Sequence, residues 1–195
     1  GKSTIIKAIS GILPCTKGHI RFQGKEIEKL PPRQRIMMGI VHIPEGGHLF
    51  SGMTVLENLK LGAYLPSSWR HREENLKMVF QMFPCLENMK DRMAWSLSGG
   101  ERQMLALGRG LMSSAKLLMI DEPSMGLAPT LCGDLYKKIE EIYKMGVSLL
   151  IVEQNVKYIA QLASRIYLIE NGKVALKGKP DEVMSDKHVK EAFLG

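Results

Sequence analysis

The feature that most constrains the fold is a run of four apolar residues, Leu117–Ile120, followed directly by Asp121, Glu122 and Pro123. Turn-forming or helix-forming residues flank the run, which is typical of a strand buried on both faces of a parallel sheet. Ligands of such sheets bind outside the carboxyl ends of the strands, so both acids lie where a ligand is expected. Successive side chains there point in different directions, so one acid can face a metal and the other a nucleophilic water. Taken alone, the same residues are equally consistent with a buried strand that ends in solvated acids.

Strands and helices alternate on either side of this run. Ile40–Ile43 and Ser148–Val152 are also predicted strands, a helix is predicted over about 130–145, and Asn171-Gly172 between two apolar runs predicts a β-hairpin. This alternation indicates an α/β domain whose parallel sheet is covered on both faces. From 54 to about 112 the apolar spacing is helical and no good strand appears, which predicts a helical insert.

The composition limits the possible partners only loosely. With 45% hydrophobic and 24% charged residues, the chain has the composition of an ordinary globular protein. The net charge of +7 permits nucleic acid, nucleotide or an anionic membrane surface as a partner, but the basic residues are scattered and form no nucleic-acid-binding arm. Cys15, Cys85 and Cys132 are far apart and odd in number, which favours a reducing cytosol over a disulfide framework or a metal site.

The first four residues, Gly1-Lys2-Ser3-Thr4, match the closing half of the phosphate-binding loop G-x-x-x-x-G-K-[ST]. Backbone N–H groups at a helix N-terminus bind phosphate through their unpaired donors and the helix dipole. Lys2 would reach the β- and γ-phosphates, the Ser3 hydroxyl would ligate Mg²⁺, and Thr4 is next in line. Four residues alone are also consistent with an ordinary helix start. Because the match begins inside a motif, we expect the chain to be a fragment that lacks an N-terminal part.

A second candidate phosphate contact is Ser98-Gly99-Gly100-Glu101, before a helix predicted over Arg102–Met112. Ser98 and Glu101 have the spacing of a capping box, which explains both residues without a ligand. The two glycines need another reason, because each costs roughly 0.8–1 kcal/mol relative to alanine inside a helix. Glycine is useful where the backbone must come close to a partner, and at a helix N-terminus the simplest such partner is an anion such as phosphate.

Three separate stretches therefore point to phosphate or its metal, and together they resemble the motifs of ABC ATPases. Leu97–Glu101 resembles the signature motif of that family, Leu117–Glu122 its Walker B strand, and Gly1–Thr4 the end of its Walker A motif. The resemblance implies a P-loop NTPase of the RecA-like type, with a parallel-sheet core, an inserted helical subdomain and a missing N-terminal antiparallel part. The core would comprise 1–50 and 115–195, and the helical subdomain 51–114, ending in the signature helix.

A closer resemblance is to the ATP-binding subunit of branched-chain amino-acid importers, the LivF type. The segments that carry it are Ile43–Phe50, Thr54–Leu59, Ser124–Pro129, Val152–Asn155 and Glu191–Gly195. It implies ATP hydrolysis coupled to uptake of leucine, isoleucine and valine, on the cytoplasmic face of the cell membrane. The ATPase of a urea or other amino-acid or amide importer shares much of this pattern. Two further alternatives are an ABC ATPase acting on nucleic acid or ribosomes, which usually carries two cassettes, and a nucleotide-binding module without turnover.

The resemblance also implies a role for each matching residue. Those that would bind ATP are Gly1, Lys2, Ser3, Thr4, Glu45, Ser98, Gly99, Gly100 and Asp121. Mg²⁺ would be held by Ser3, Asp121 and Glu45. Glu122 would be the general base that polarises the attacking water, and Gln154 the second catalytic residue. Because the family's sites form in a head-to-tail dimer, the signature residues would contact the γ-phosphate held by the other protomer.

Three positions depart from the general ABC pattern. Glu45 replaces the glutamine of the Q-loop, Gln154 the histidine of the H-loop and Ala128 the aspartate of the D-loop. The importer type resembled here has the same replacements. These replacements leave open whether both sites of the dimer hydrolyse ATP equally. The implied partners are membrane-embedded permease subunits, a second ATP-binding subunit and a separate substrate-binding protein, with no nucleic acid. The helical insert would dock on the permease.

Overall fold

Helices and strands alternate along the chain in the computed structural model, which describes residues 1–187, 189 and 190. The segment Glu191–Gly195, part of the importer resemblance, lies outside the described residues. The strands are β1 (Arg21–Phe22), β2 (Lys25–Glu26), β3 (Ile40–Ile43), β4 (Leu117–Asp121), β5 (Ser148–Val152), β6 (Ile166–Glu170) and β7 (Lys173–Gly178). The helices are α1 (Lys2–Ser10), α2 (Pro32–Met37), α3 (Val55–Gly62), α4 (Pro66–Arg70), α5 (Arg72–Met82), α6 (Pro84–Asn88), α7 (Gly99–Leu111), α8 (Pro129–Lys144), α9 (Val156–Leu162) and α10 (Pro180–Ser185), with a short 3₁₀ helix at Ala94–Ser96.

The central sheet is parallel and has β4 between β3 and β5. Ile43, Ile120 and Ile151 stand side by side in the register, so the three strands end at the same edge. The residues directly after each strand therefore lie close together. β6 and β7 form the predicted antiparallel hairpin, and β1 pairs with β2. The predicted bounds of β3 and β5 agree with the structure, and the predicted parallel-sheet fold is confirmed.

Both faces of the sheet are covered by helices, as predicted. Leu118 and Ile120 of β4 point to one face and join the large apolar cluster that α7 and α8 share. Met119, between them, points to the other face and packs in a second cluster with Ile6 of α1. These β4 side chains are almost fully buried, and each such burial contributes about 1.5–3 kcal/mol. The four apolar residues before Asp121 are thus the centre of the core.

The segment between β3 and β4 is helical, as predicted, and contains α3 to α7. Its only strand-like pairing within the described residues is an isolated bridge between Thr54 and Met93. Val55 and Leu59 of this segment share the large apolar cluster with the sheet residue Leu118. The subdomain boundaries therefore stay a prediction. In the part of the chain that the structure describes, no helix combines the length and the apolar character needed to cross a bilayer.

The signature helix α7 begins at Gly99, so the predicted start at Arg102 was wrong by three residues. The predicted capping box is present. The backbone N–H of Ser98 donates to Glu101 Oε2 at 2.7 Å, and the backbone N–H of Glu101 donates to Ser98 Oγ at 3.4 Å. Because these bonds fix Ser98 as the cap, both glycines fall in the first helical turn despite their low helix propensity.

The crossing of α3 and α7 depends on a glycine at the end of α3. A Cβ atom added at Gly62 would overlap the carbonyl oxygen of Arg109 and lie 2.8 Å from the Cβ atom of Met112. Backbone atoms cannot move aside as a flexible side-chain tip can. We therefore expect Gly62→Ala to lower the free energy of unfolding by about 1–3 kcal/mol through overpacking.

A matched control lies in α8, where nothing is within 4 Å of the Cβ position of Gly133. Gly133→Ala makes the same chemical change and should raise the free energy of unfolding by about 0.5–1 kcal/mol, since alanine favours the helix. Urea titration of both variants measures the two shifts. Equal effects would mean that close packing of α3 on α7 does not require glycine.

Candidate functional site

The two acids at the end of β4 contact different neighbours. Ser3 Oγ donates a hydrogen bond to Asp121 Oδ1 at 3.0 Å, which joins β4 to the start of α1. The amide nitrogen of Gln154 lies 2.8 and 2.7 Å from the two carboxylate oxygens of Glu122. The strand end is thereby linked to α1 on one side and to the residues after β5 on the other. Three distant stretches of sequence meet at this edge of the sheet.

The backbone at Glu122 is unusual for a residue with a side chain. Its φ angle is +46°, in the left-handed region, and its N–H donates to the carbonyl oxygen of Val152 at 2.9 Å. A non-glycine residue in such a region costs of order 1–3 kcal/mol and persists where its surroundings hold it. The left-handed residue ends the strand, so Asp121 and Glu122 reach different partners. Such strain is common at functional sites.

Asp121 fits an oxygen-ligated cation. Its side chain is buried (3% exposed), and its carboxylate accepts the Ser3 hydroxyl. Burial lowers the pKa of His42 on the neighbouring strand, more than the charge of Asp121 raises it, so the imidazole is neutral at pH 7 and supplies no counter-charge. A buried carboxylate is costly unless a cation balances it. A hydroxyl and a carboxylate are the kinds of oxygen ligand that Mg²⁺ prefers.

The start of α1 has the features of an anion site beside this pair. Gly1 is the N-cap and no side chain caps the helix, so the N–H groups of the first turn lack a side-chain partner. Lys2 lines a cleft of about 570 Å³ alongside β5, together with Glu153 and Gln154. Thr4 is exposed on the first turn of the helix.

The signature residues lie elsewhere on the molecule. The Ser98 hydroxyl accepts from the backbone N–H of Glu101, and no hydrogen bond is recorded between Ser98 and the Ser3–Asp121 pair within the described residues. A Cβ atom at Gly99 would lie 3.3 Å from Leu127, on the segment between β4 and α8. A Cβ atom at Gly100 would lie 3.3 Å from the side chain of Leu131, in the first turn of α8. The first turn of the signature helix therefore packs on α8 and on the segment before it.

The loop after β3 carries Glu45 and is fixed to α7. Glu45 is exposed two residues beyond Ile43, at the same edge of the sheet as Glu122. Arg109 of α7 donates to the backbone carbonyls of Gly47 (2.7 Å) and His48 (3.0 Å). The guanidinium also lies 5.5 Å from the centre of the Phe50 ring. The Glu45 loop and the signature helix are thus connected, while no hydrogen bond between the Glu45 side chain and Asp121 is recorded among the described residues.

Sequence reasoning gave Glu153 no role, but its carboxylate accepts four hydrogen bonds. Oε2 accepts from Tyr136 Oη (2.6 Å) and Ser124 Oγ (3.0 Å), and Oε1 from the backbone N–H groups of Gln154 (2.9 Å) and Asn155 (3.2 Å). The available signal was a carboxylate directly after a buried strand, as at the end of β4. The sequence does not indicate that Tyr136 of α8 donates a hydrogen bond to this carboxylate.

The phenol of Tyr136 is a permanent donor to this carboxylate. Burial and the hydrogen bond to Glu153 both raise its pKa far above the usual range of tyrosine, so it stays protonated at any physiological pH. Its ring is 8% exposed and stacks on Tyr158, with ring centres 4.7 Å apart. The hydroxyl is therefore held in one place.

The geometry above agrees with a comparison against known families. The family model described as ABC transporter matches residues 1–125 of the chain. The chain belongs to the ABC transporter family. It is accordingly the ATP-binding, ATP-hydrolysing subunit of a transporter, and the family resemblance stated from the sequence is confirmed.

Relatives that serve different transport systems match the whole of this chain. The branched-chain amino acid transport ATP-binding protein BraG of Pseudomonas aeruginosa is 37% identical over 195 residues, and the match covers 83% of its length. The probable branched-chain amino acid transport ATP-binding protein LivF of Archaeoglobus fulgidus is 34% identical over 196 residues and 83% of its length. The lipopolysaccharide export system ATP-binding protein LptB of Escherichia coli K12 is 31% identical over 197 residues and 81% of its length. Family members with different cargo are thus similar to this chain.

The fold is also that of a solved ABC cassette. The crystal structure of a nucleotide-free ATP-binding cassette from an ABC transporter superposes with a TM-score of 0.84 at 29% sequence identity. The match covers 98% of this chain and 82% of the other. The parallel sheet and the helical segment of the chain are therefore those of an ATP-binding cassette.

Proposed function

We propose that the chain powers an importer of branched-chain amino acids (leucine, isoleucine and valine) from the cytoplasmic face of the cell membrane. The observation that carries the proposal is the similarity along the whole chain to the P. aeruginosa branched-chain amino acid transport protein, which exceeds that to the export protein of E. coli. An importer of urea or another amide is the alternative that the sequence pattern leaves open.

The nucleotide site is proposed at the carboxyl edge of the sheet. Gly1, Lys2 and Thr4 stand at the uncapped start of α1, where N–H groups and the lysine ammonium would bind the phosphates of ATP. Ser3 and Asp121 would hold Mg²⁺, with Glu45 at the same strand edge as a further ligand. When bound, Mg²⁺ would neutralise charge on the phosphate oxygens during transfer. The buried, hydroxyl-bonded carboxylate of Asp121 supports this assignment.

Catalysis is assigned to the Glu122–Gln154 pair. Glu122 would accept the proton of the water that attacks the γ-phosphate, because a carboxylate in hydrogen-bond reach of that water is a competent general base. In the structure its oxygens are occupied by the Gln154 amide. Gln154 would turn toward the γ-phosphate when ATP binds and so free Glu122 for the water. Since an amide carries no titrating proton, Gln154 acts by hydrogen bonding alone.

A complete site is proposed to need two protomers. Ser98, Gly99 and Gly100 would contact the γ-phosphate held by a second ATP-binding subunit in a head-to-tail dimer. The contacts of the signature support this arrangement, because Gly99 packs against Leu127 and no hydrogen bond joins Ser98 to Ser3 or Asp121 among the described residues. The N–H groups of its first turn suit an anion.

The helical segment is the proposed docking face for membrane-embedded permease subunits. Five large apolar side chains of this region are exposed and would supply apolar contact area to a docked permease. They are Phe50, Leu61, Tyr64, Trp69 and Trp95. A separate substrate-binding protein would deliver the amino acid. No nucleic-acid partner is proposed, because the positive charge is scattered along the chain.

Purification of the tagged full-length protein from its own cells in mild detergent tests this function. We expect two membrane subunits and a second ATP-binding subunit in the eluate, and an associated binding protein whose ligand is leucine, isoleucine or valine. A binding protein for urea or another amide would replace the proposed substrate with the alternative. Ribosomal proteins or nucleic acid without membrane subunits would overturn the import proposal and leave the ATPase.

A further inference from the structure

The Glu153 carboxylate connects the two chain segments that carry Glu122 and Gln154. One oxygen accepts from the hydroxyl of Ser124, two residues beyond Glu122. The other accepts from the backbone N–H groups of Gln154 and Asn155. The Gln154 amide in turn contacts Glu122. These hydrogen bonds, together with the backbone, therefore close a hydrogen-bonded ring that includes both Glu122 and Gln154.

Helix α8 fixes this ring from outside. Tyr136 Oη donates to Glu153 Oε2 at 2.6 Å, the shortest of the four bonds to this carboxylate. Tyr136 is buried, and its aromatic ring lies nearly parallel to the aromatic ring of Tyr158, with 10° between the two planes. A buried, stacked phenol has one position for its hydroxyl, so the carboxylate that accepts from it has a defined orientation as well.

We propose that Glu153 is a positioning residue for ATP hydrolysis, which holds the Gln154 backbone and the Ser124 loop. From that fixed backbone the Gln154 amide contacts Glu122 in the present structure and would reach the γ-phosphate once ATP is bound. The proposal rests on the roles given above to Glu122 and Gln154. An ionised carboxylate suits this task because it has only acceptor sites and makes stronger hydrogen bonds than a neutral group. Four donors converge on its two oxygens without competition.

Two substitutions in the full-length protein test the proposal, Tyr136→Phe and Glu153→Ala. A displacement of about 1 Å at a catalytic group can cost about 100-fold in rate, so we expect kcat for ATP hydrolysis to fall by up to about 100-fold in Glu153→Ala and less in Tyr136→Phe. KM for ATP should stay unchanged, because Ser3 and Asp121 lie outside the ring. Tyr136→Phe removes one oxygen atom and keeps the stacked ring, so it stays informative if Glu153→Ala does not fold.

Three comparisons separate positioning from a loss of stability. Tyr143→Phe makes the same change at an exposed tyrosine of α8 and should leave kcat unchanged. Glu153→Gln keeps one carbonyl oxygen for the backbone N–H groups and should recover part of the rate lost in Glu153→Ala. In a Gln154→Ala background, Tyr136→Phe should lower kcat no further, because two changes acting through one contact are not additive.

Each result bears on a different claim. Normal kcat in Tyr136→Phe and Glu153→Ala, with Glu122→Gln inactive, would overturn the positioning role and leave the proposed site intact. Turnover by Glu122→Gln would instead overturn the roles of the site residues. A fall in kcat that tracks the melting temperature and persists in the Gln154→Ala background would reduce Glu153 to a structural residue.

Discussion

Glu122→Gln is expected to lower kcat for ATP hydrolysis by about 10²–10⁴-fold, the usual contribution of a general base. The glutamine has the same shape but cannot accept the proton of the attacking water at neutral pH. ATP binding should persist, because the proposed phosphate and metal ligands Lys2, Ser3 and Asp121 are unchanged. Turnover and nucleotide affinity, measured on the full-length protein in its complex, separate these two effects.

The control for this substitution is Glu140→Gln, on the exposed part of α8. Glu140 forms a surface ion pair with Lys144 at 2.7 Å, which contributes little to stability. The same loss of one negative charge should therefore leave turnover unchanged there. Wild-type turnover in Glu122→Gln would assign the base to another group, whereas loss of ATP binding in that variant would make Glu122 a nucleotide ligand.

The strands that position this site were predictable because their signals are local. Four apolar residues before two acids predicted β4, and the run Ser148–Val152 predicted β5 to the residue. Parallel strands end at one edge, so the meeting of the residues that follow them was predictable too. The capping box at Ser98 was also predictable, because its two partners are three residues apart.

The contacts that orient the site were not predictable, because they join residues far apart in sequence. The Glu153 carboxylate receives its shortest bond from Tyr136, on a helix whose packing the periodicity does not specify. The left-handed backbone at Glu122 has no signal in a sequence without glycine at that position. The start of α7 lies three residues before the predicted start, because the Ser98 cap in the structure determines the first turn although glycine has a low helix propensity.

A buried arginine is another feature that only the structure reveals, and its loss should be strongly destabilising. Arg35 of α2 is 2% exposed, and its guanidinium donates to the backbone carbonyls of Ala8 (2.6 Å) and Ile9 (2.9 Å) in the last turn of α1. It also donates to the carbonyls of Leu30 (2.8 Å) and Glu28 (2.9 Å). The C-terminal carbonyls of a helix have no partner within the helix, and a cation there also interacts favourably with the helix dipole.

We expect Arg35→Met to lower the free energy of unfolding by about 3–4 kcal/mol. Methionine fills a similar volume but donates no hydrogen bond, so four backbone carbonyls in two chain segments each lose a donor at once. Arg33→Met is the matched control, because Arg33 is exposed on the same helix and its loss should change stability by less than about 0.5 kcal/mol. The stability of Arg35→Lys should fall between those of the other two variants, since an ammonium keeps the charge but lacks the planar fork of donors.

Urea unfolding of the three variants measures these differences. Equal stability of Arg35→Met and Arg33→Met would mean that water replaces the guanidinium at the end of α1. A measured loss would show that the C-terminal end of α1, the helix that begins with Lys2 and Ser3, depends on the Arg35 guanidinium for stability.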